Sequence, residues 1–316
     1  MLCRWSGALA LFPLCALVAG HGAPACAQSL VSSQLQIDTG IGHEAQSAPV
    51  FQLTPESTIV YLDDLKHLSG EHVRTSVQAS AEWAWDKGFT VSLAGDATLK
   101  KSPAKPDLDY QTVSVQPSLM HPLWGGSGGV GVNLQTFDVG GAHFRDSTGL
   151  ILNWTRADAE SMWGVVAEIS EYRHGADLRD MDATSRSLLL LRQYTDPCKA
   201  ISGLDFSAIV GREENRWGYA DLSNRSALLS ATVHWSMWGG DWSFGRSYRR
   251  AVFDESAFED DPVRMDATHM TDLSAQWPLT SKVSLRVEMN DSVSRSTTRL
   301  YDNNFRQFSV TLRTQI

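Results

Sequence analysis

Cysteine is nearly absent beyond the first residues of this chain: Cys3, Cys15 and Cys26 lie near the start, and only Cys198 follows. The start itself has the form of a segment that is removed. Arg4 supplies the positive charge, Gly7 to Gly20 an apolar stretch, and Ala25-Cys26-Ala27 the small residues before a cut ahead of Gln28. Together these predict a secretory signal peptide over residues 1–27. A lipoprotein cut before Cys26 is disfavoured by Ala23-Pro24-Ala25. With one cysteine left, an intrachain disulfide is excluded from the mature chain.

Long apolar runs are missing too. Nothing after the signal approaches the roughly 18 consecutive apolar residues of a membrane-crossing helix. That excludes a helical membrane protein but not a strand barrel, whose mark per segment is far weaker. There is no long like-charge tract, and 27 Lys+Arg against 36 Asp+Glu give a net charge of −9. No nucleic-acid partner is expected of such a chain. His43, His67, His72, His121, His143, His174, His234 and His269 are scattered without metal-ligand spacing, so neither metal nor cofactor is expected. No residue can be named as catalytic, since Ser and His are frequent enough to meet by chance and an acyl-transfer pair is defined only in space. Gly125-Gly126-Ser127-Gly128-Gly129 lacks the helix and lysine of a phosphate loop and reads as a turn into a strand. The acidic run Asp254-Glu255 and Glu259-Asp260-Asp261 is either a cation or basic-partner site or, more commonly, a solvated loop face.

What the chain does contain is alternation. The odd positions Val73, Thr75, Val77, Ala79, Ala81, Trp83 and Trp85 are mostly apolar; Arg74, Ser76, Gln78, Ser80, Glu82 and Ala84 lie between them. After Asp86-Lys87-Gly88, a run of turn formers, the pattern resumes as Phe89, Val91, Leu93, Gly95, Ala97 and Leu99. Period two over this length means strands with one apolar and one polar face. Strands of about ten residues are what a bilayer-spanning barrel needs, whereas soluble strands average about five or six.

The same rule predicts about fourteen strands, starting with Leu30 to Ile41 and ending with Asn303 to Ile316. Gly42 to Glu71 is expected as a long polar connection, with Ser57-Thr58-Ile59-Val60-Tyr61 as a short extra strand. Connections alternate in length, the short ones including Asp86–Gly88 and Gly239–Gly240, the longer ones including Asp138 to Arg145 and Arg173 to Ala183. This predicts an all-β, antiparallel, up-and-down transmembrane barrel over 28–316, in the outer membrane, with both termini in the periplasm. Trp83, Trp85, Trp154, Trp163, Trp235, Trp238, Trp242 and Trp277 cluster near short turns and are expected to form an aromatic girdle at the periplasmic edge. Apolar sets such as Val283, Leu285, Val287 and Met289 would face lipid. The charges alternating with them would face the lumen, because Arg or Lys at a lipid midplane costs about 2–4 kcal/mol. The candidate lumen-lining residues are Arg74, Glu82, Glu168, Asp205, Arg286, Glu288 and Arg313. An open edge has no hydrogen-bond partner in hydrocarbon, so the first strand should pair with the last.

Pro262-Val263-Arg264-Met265-Asp266, Ser294-Arg295-Ser296 and Leu300-Tyr301-Asp302-Asn303-Asn304-Phe305-Arg306 precede the closing strand. This final part of the chain resembles the barrel domain of the surface lipoprotein assembly modifiers, the Slam family. The resemblance implies a fourteen-strand barrel that passes client proteins to the cell surface. It implies as partners the barrel assembly machinery, outer-membrane lipid and a secreted or lipidated client. With no room for the family's tetratricopeptide domain after Gln28, a separate periplasmic partner would be needed.

The leading expectation is therefore a conduit exporting a protein client. The alternatives are a general or solute-selective porin, a structural or adhesive barrel acting through its outer loops, and a soluble β-sandwich. No enzymatic activity is expected.

Overall fold

The computed structural model describes residues 29–53, 59–85, 88–198, 200–256 and 262–316. The expected signal peptide, Ser57-Thr58 and the acidic run at 259–261 lie outside them. Fourteen strands follow one another: β1 Ser29–Leu53, β2 Ile59–Trp85, β3 Phe89–Lys101, β4 Tyr110–Leu123, β5 Gly126–Val139, β6 Ala142–Ala157 and β7 Ser161–His174; then β8 Ala183–Cys198, β9 Ile201–Asn215, β10 Asn224–Met237, β11 Gly240–Phe253, β12 Met265–Pro278, β13 Val283–Ser296 and β14 Asn303–Gln315. Each pairs antiparallel with its sequence neighbours, and β1 closes on β14. The closing ladder runs from Gln36↔Gln315 to Ser47↔Asn304, and Leu35 and Ile316 exchange backbone hydrogen bonds of 3.1 and 2.9 Å at its end. Closure leaves no unpaired edge along the wall, the condition for crossing hydrocarbon as strands.

Turn chemistry explains the short ends. Trp124-Gly125 (φ 51° and 73°) and Trp238-Gly239 (φ 54° and 71°) have positive φ at both central positions. That is the twist of a two-residue type I′ hairpin turn. The β6–β7 turn is held by Asp158, whose carboxylate accepts from the backbone N–H groups of Glu160 (3.1 Å) and Ser161 (2.7 Å) and from the Ser161 hydroxyl (2.9 Å). Those donors, the Glu160 N–H first, hold its carboxyl below the usual range. Its contribution is complete above the ordinary carboxylate pKa and is lost as pH falls through the lowered value.

Two connections differ from expectation. Gly42 to Glu71 is not a loop: β1 and β2 are 25 and 27 residues long and stay paired out to Leu53↔Ile59. β14 ends its pairing at Ser47, so the outer part of this hairpin stands clear of the wall as a two-stranded ribbon. A ribbon with no lipid on one face has no reason to alternate past Ser47, and from Gly42 to Ser47, still in the wall, the outward residues His43, Ala45 and Ser47 are too polar or small to mark a face. Pro49, lacking an N–H, sits at a register shift between Pro49 and Val50. Asp138 to Arg145 is likewise no long loop. Gly140-Gly141 (φ 59° and 82°) makes a two-residue turn, and the ladder continues into Ala142 with one irregularity after Phe137.

Closure depends on close approach at β1. A Cβ at Gly42 would lie 2.6 Å from both the Phe308 carbonyl oxygen and His72 Nε2, whereas one at Gly70 would meet nothing within 4 Å. Gly42→Leu should therefore lower unfolding stability in detergent by about 1–3 kcal/mol or more, and Gly70→Ala should leave it unchanged. Equal effects in urea titrations would contradict this assignment of the seam.

Candidate functional site: the inner wall

Directly paired residues on neighbouring antiparallel strands point to the same face, so the registers trace rows around the barrel. One row runs Ser32, Glu82, Ser92, Ser118, Gly131, Ile151, Glu168, Ser187, Gly211, Ser226. Another runs Gly42, Ser309, Glu288, Ser274, Ser243, His234, Gly203. Rows of the opposite parity are apolar, for example Ala167, Leu188, Val210, Ala227 and Leu152, Ala167. The polar face is the inner one. It holds the ion pair of Lys100 with Glu44, whose side chains are 6% and 7% exposed, while Val210 and Leu229 on the other face are 54% and 60% exposed. A closed wall with an apolar exterior is an outer-membrane β-barrel.

All seven charged candidates lie on the inner rows, in two groups. Arg74, Arg286, Glu288 and Arg313 stand near the β1–β14 seam. Arg313 donates to Asp38 through Nε (3.0 Å) and Nη2 (2.9 Å), and its Nη1 donates to Gln276 (3.3 Å). Arg286 pairs with Glu288 at 2.7 Å. Arg74 is exposed on the row through Gly40, Thr311 and Arg286. Glu82, on β2 beside the seam, accepts from the Ser32 hydroxyl of β1 at 3.2 Å; across the barrel, Glu168 accepts from Ser170. Asp205 is 2.9 Å from His234 Nε2. The two groups do not converge on one point, so they make a lined wall rather than a catalytic constellation.

Several inner groups were not singled out from sequence. Lys100 Nζ donates to both Glu44 oxygens at 2.5 and 2.6 Å. His72, 2% exposed, lies beneath Gly42 and takes a contact of 3.3 Å from Gln307 Nε2. Asp96 accepts from Ser114, and Asp38 also accepts from Gln36 at 3.1 Å. Asp96 and Lys100 share the even phase of Glu82 and Arg74, so the alternation carried their signal. Glu44 falls in the stretch expected to be a loop.

The eight girdle tryptophans fall at the short-turn end. Trp83, Trp85, Trp154, Trp163, Trp235, Trp242 and Trp277 occupy outer rows, and Trp238 sits in a turn. Trp235 stacks on Trp242 (6.3 Å, 18°), and Trp238 and Trp277 meet Trp242 edge-on. The indole N–H of Trp154 donates to Leu123 O and that of Trp242 to Met237 O, both at 3.0 Å. These two rings keep the apolar body outward and the polar edge on a carbonyl at a strand end.

Removing one member of a buried ion pair strands the other charge. Lys100→Met should lower unfolding free energy by about 3–5 kcal/mol, and Lys100→Met with Glu44→Leu should recover most of the loss. Chemical denaturation in detergent reads both; no recovery in the double variant would contradict the pairing.

No protein-family model matches the chain, and no curated protein matches it. Solved structures do. OmpT of Vibrio cholerae, an outer membrane protein in trimer form, is 8% identical with a TM-score of 0.51, over 92% of this chain and 100% of that one. An anion-selective porin from Comamonas acidovorans is 8% identical with a TM-score of 0.47, over 92% and 100%. OpdK of Pseudomonas aeruginosa, also an outer membrane protein, is 8% identical with a TM-score of 0.45, over 91% and 99%. The likeness to OmpT is one of fold: a closed outer-membrane barrel wall.

Proposed function

We propose that this barrel is a diffusion pore for small hydrophilic solutes, with a preference for cations. The observation that carries the reading is the inner wall itself, whose rows are rich in charge and in short side chains. Ser, Gly and Thr recur along the inner rows, for example Gly203, Ser243, Ser274 and Ser309. Among the described residues, the strands with extensive contacts are those that neighbour one another round the ring. A barrel of eight strands is filled by its own side chains and one of sixteen leaves a channel; fourteen strands with short inner residues fall toward the open side.

The charge balance of the wall gives the preference. Asp96, Glu168, Asp205 and Asp272 have no Lys or Arg ion-pair partner among the described residues, whereas Arg286 and Arg313 are both matched by carboxylates. Arg74 and Arg249 lie nearer the long-loop end, leaving the middle of the wall acidic. A low-dielectric wall focuses that field and raises the local cation concentration.

Protein export, the function implied by the Slam resemblance, finds its residues in structural use. Arg264 holds Asp266 (Nη2 at 2.6 Å), and its guanidinium lies over Tyr301 (3.3 Å) and Phe253 (4.0 Å). Asp302 accepts from the Ser296 N–H at 2.8 Å. These contacts latch the outer ends of β11 to β14, which a barrel of any cargo needs.

Planar-bilayer recording tests the reading. The purified protein should show steady conductance, with a reversal potential in a KCl gradient of the sign for cations. Glu168→Gln with Asp272→Asn should move that potential toward zero without closing the pore. A silent bilayer would sink the pore and leave export standing; a steady anion-selective current would sink only the cation preference.

A further inference from the structure

The outer wall is not uniform. At the long-loop end of β8, β9 and β10, just past the apolar row Leu188, Val210, Ala227, three arginines face outward in direct register: Arg186↔Arg212 and Arg212↔Arg225. Arg250 on β11 lies opposite Ala227, one step from Arg225. Like charges directly opposite on neighbouring strands repel. Two carboxylates serve this group: Glu214 meets Arg186 at 3.4 Å and Arg212 at 2.8 Å, and Asp254 meets Arg212 at 3.0 Å. Arg225 and Arg250 are exposed and have no carboxylate partner among the described residues. Next to β8 the same rim changes: on β6 and β7, Asp146 and Glu171 face outward with Arg173, which pairs with Glu171 at 3.3 Å, and Glu71 faces outward on β2.

Below the arginines lies an open groove of about 600 Å³ on the outer face, with Leu190, Phe206, Ala208 and Leu229 among its apolar lining and Arg246 and Tyr248 at its β11 side. Arg246 is exposed, faces outward, and has no carboxylate partner among the described residues. A guanidinium toward hydrocarbon without an anion is unfavourable, so a lipid that brought one would relieve it. No carboxylate lines the groove.

We infer that this face binds a phosphorylated glycolipid of the outer leaflet. Its phosphates would sit among Arg186, Arg212, Arg225 and Arg250, with an acyl chain along the groove and Arg246 reaching up toward the headgroup. Guanidinium matches phosphate in two-point geometry, and the arginines stand where the apolar band ends, at headgroup level. A second copy of this chain docking by the same face would set arginine against arginine, which charge complementarity disfavours. The inference rests on the membrane assignment and not on what passes through the lumen.

The test uses the full refolded chain in detergent and an acylated glucosamine disaccharide with both phosphates present or both removed, with binding read by native mass spectrometry. The wild type should bind the diphosphorylated form about tenfold more tightly than the phosphate-free form. Arg225→Gln with Arg250→Gln should erase that preference, and Arg225→Lys with Arg250→Lys should keep part of it. The gel mobility shift between unheated and boiled samples checks that each variant is folded; if the double variant fails there, Arg225→Gln alone replaces it. Equal binding of both lipid forms, an undiminished preference in the folded variant, or full competition by inorganic phosphate at equal concentration would each overturn the inference. So would an oligomer whose formation shields Arg225 and Arg250. Bilayer conductance of the variants should match the wild type, since neither residue faces the lumen.

Discussion

Hydrocarbon offers nothing to a backbone N–H or C=O, and that single constraint organises the molecule. Strands can cross a membrane only if every backbone group has a neighbour, so the first must find the last. Here that seam is β1 on β14, twelve residue pairs of antiparallel ladder finished by Leu35 and Ile316. The narrow approach at Gly40 and Gly42 and the buried His72 and Lys100–Glu44 pair all gather near it. The most buried ion pair therefore lies near where the chain's two ends must recognise each other.

Once closed, the wall divides two solvents, and each residue's phase along its strand decides which it meets. The outer phase is apolar, with indole rings stacked at the short-turn end and arginines at part of the other. The inner phase is short and polar, with carboxylates and guanidiniums paired near the seam and carboxylates less matched across from it. The same side-chain chemistry does different work by facing: Arg313 locks to Asp38 inside, whereas Arg225 outside has no such partner among the described residues.

Much of this was legible before any coordinates. Period two between Val73 and Leu99 gives both strands of the hairpin and the phase of Arg74 and Glu82, because lipid on one side forces it. The strand number and the pairing of first with last follow from the same rule. What the pattern hid has physical causes. Beyond Ser47 the β1–β2 ribbon leaves the wall and the alternation lapses; Glu44, still on the closing ladder opposite Gln307, was hidden by the polar residues His43, Gln46 and Ser47 around it. Gly140-Gly141 could have announced a tight turn, but the polar residues around it imitate a loop. The arginine row on β8 to β10 was invisible because residues far apart in sequence become neighbours only through register. The residues of the Arg264 motif, which carry the family resemblance, make a contact between strand ends.

The measurement that bears most directly on all this is thiol accessibility along one strand in a Cys198→Ser background, since Cys198 is exposed and is the free cysteine of the described chain. Single cysteines placed at Ser284, Leu285, Arg286, Val287, Glu288 and Met289 in the membrane-embedded protein would be exposed to a water-soluble, membrane-impermeant maleimide. The even positions should label and the odd ones should not. Uniform labelling, or the opposite phase, would mean that the polar face does not meet water inside a closed wall.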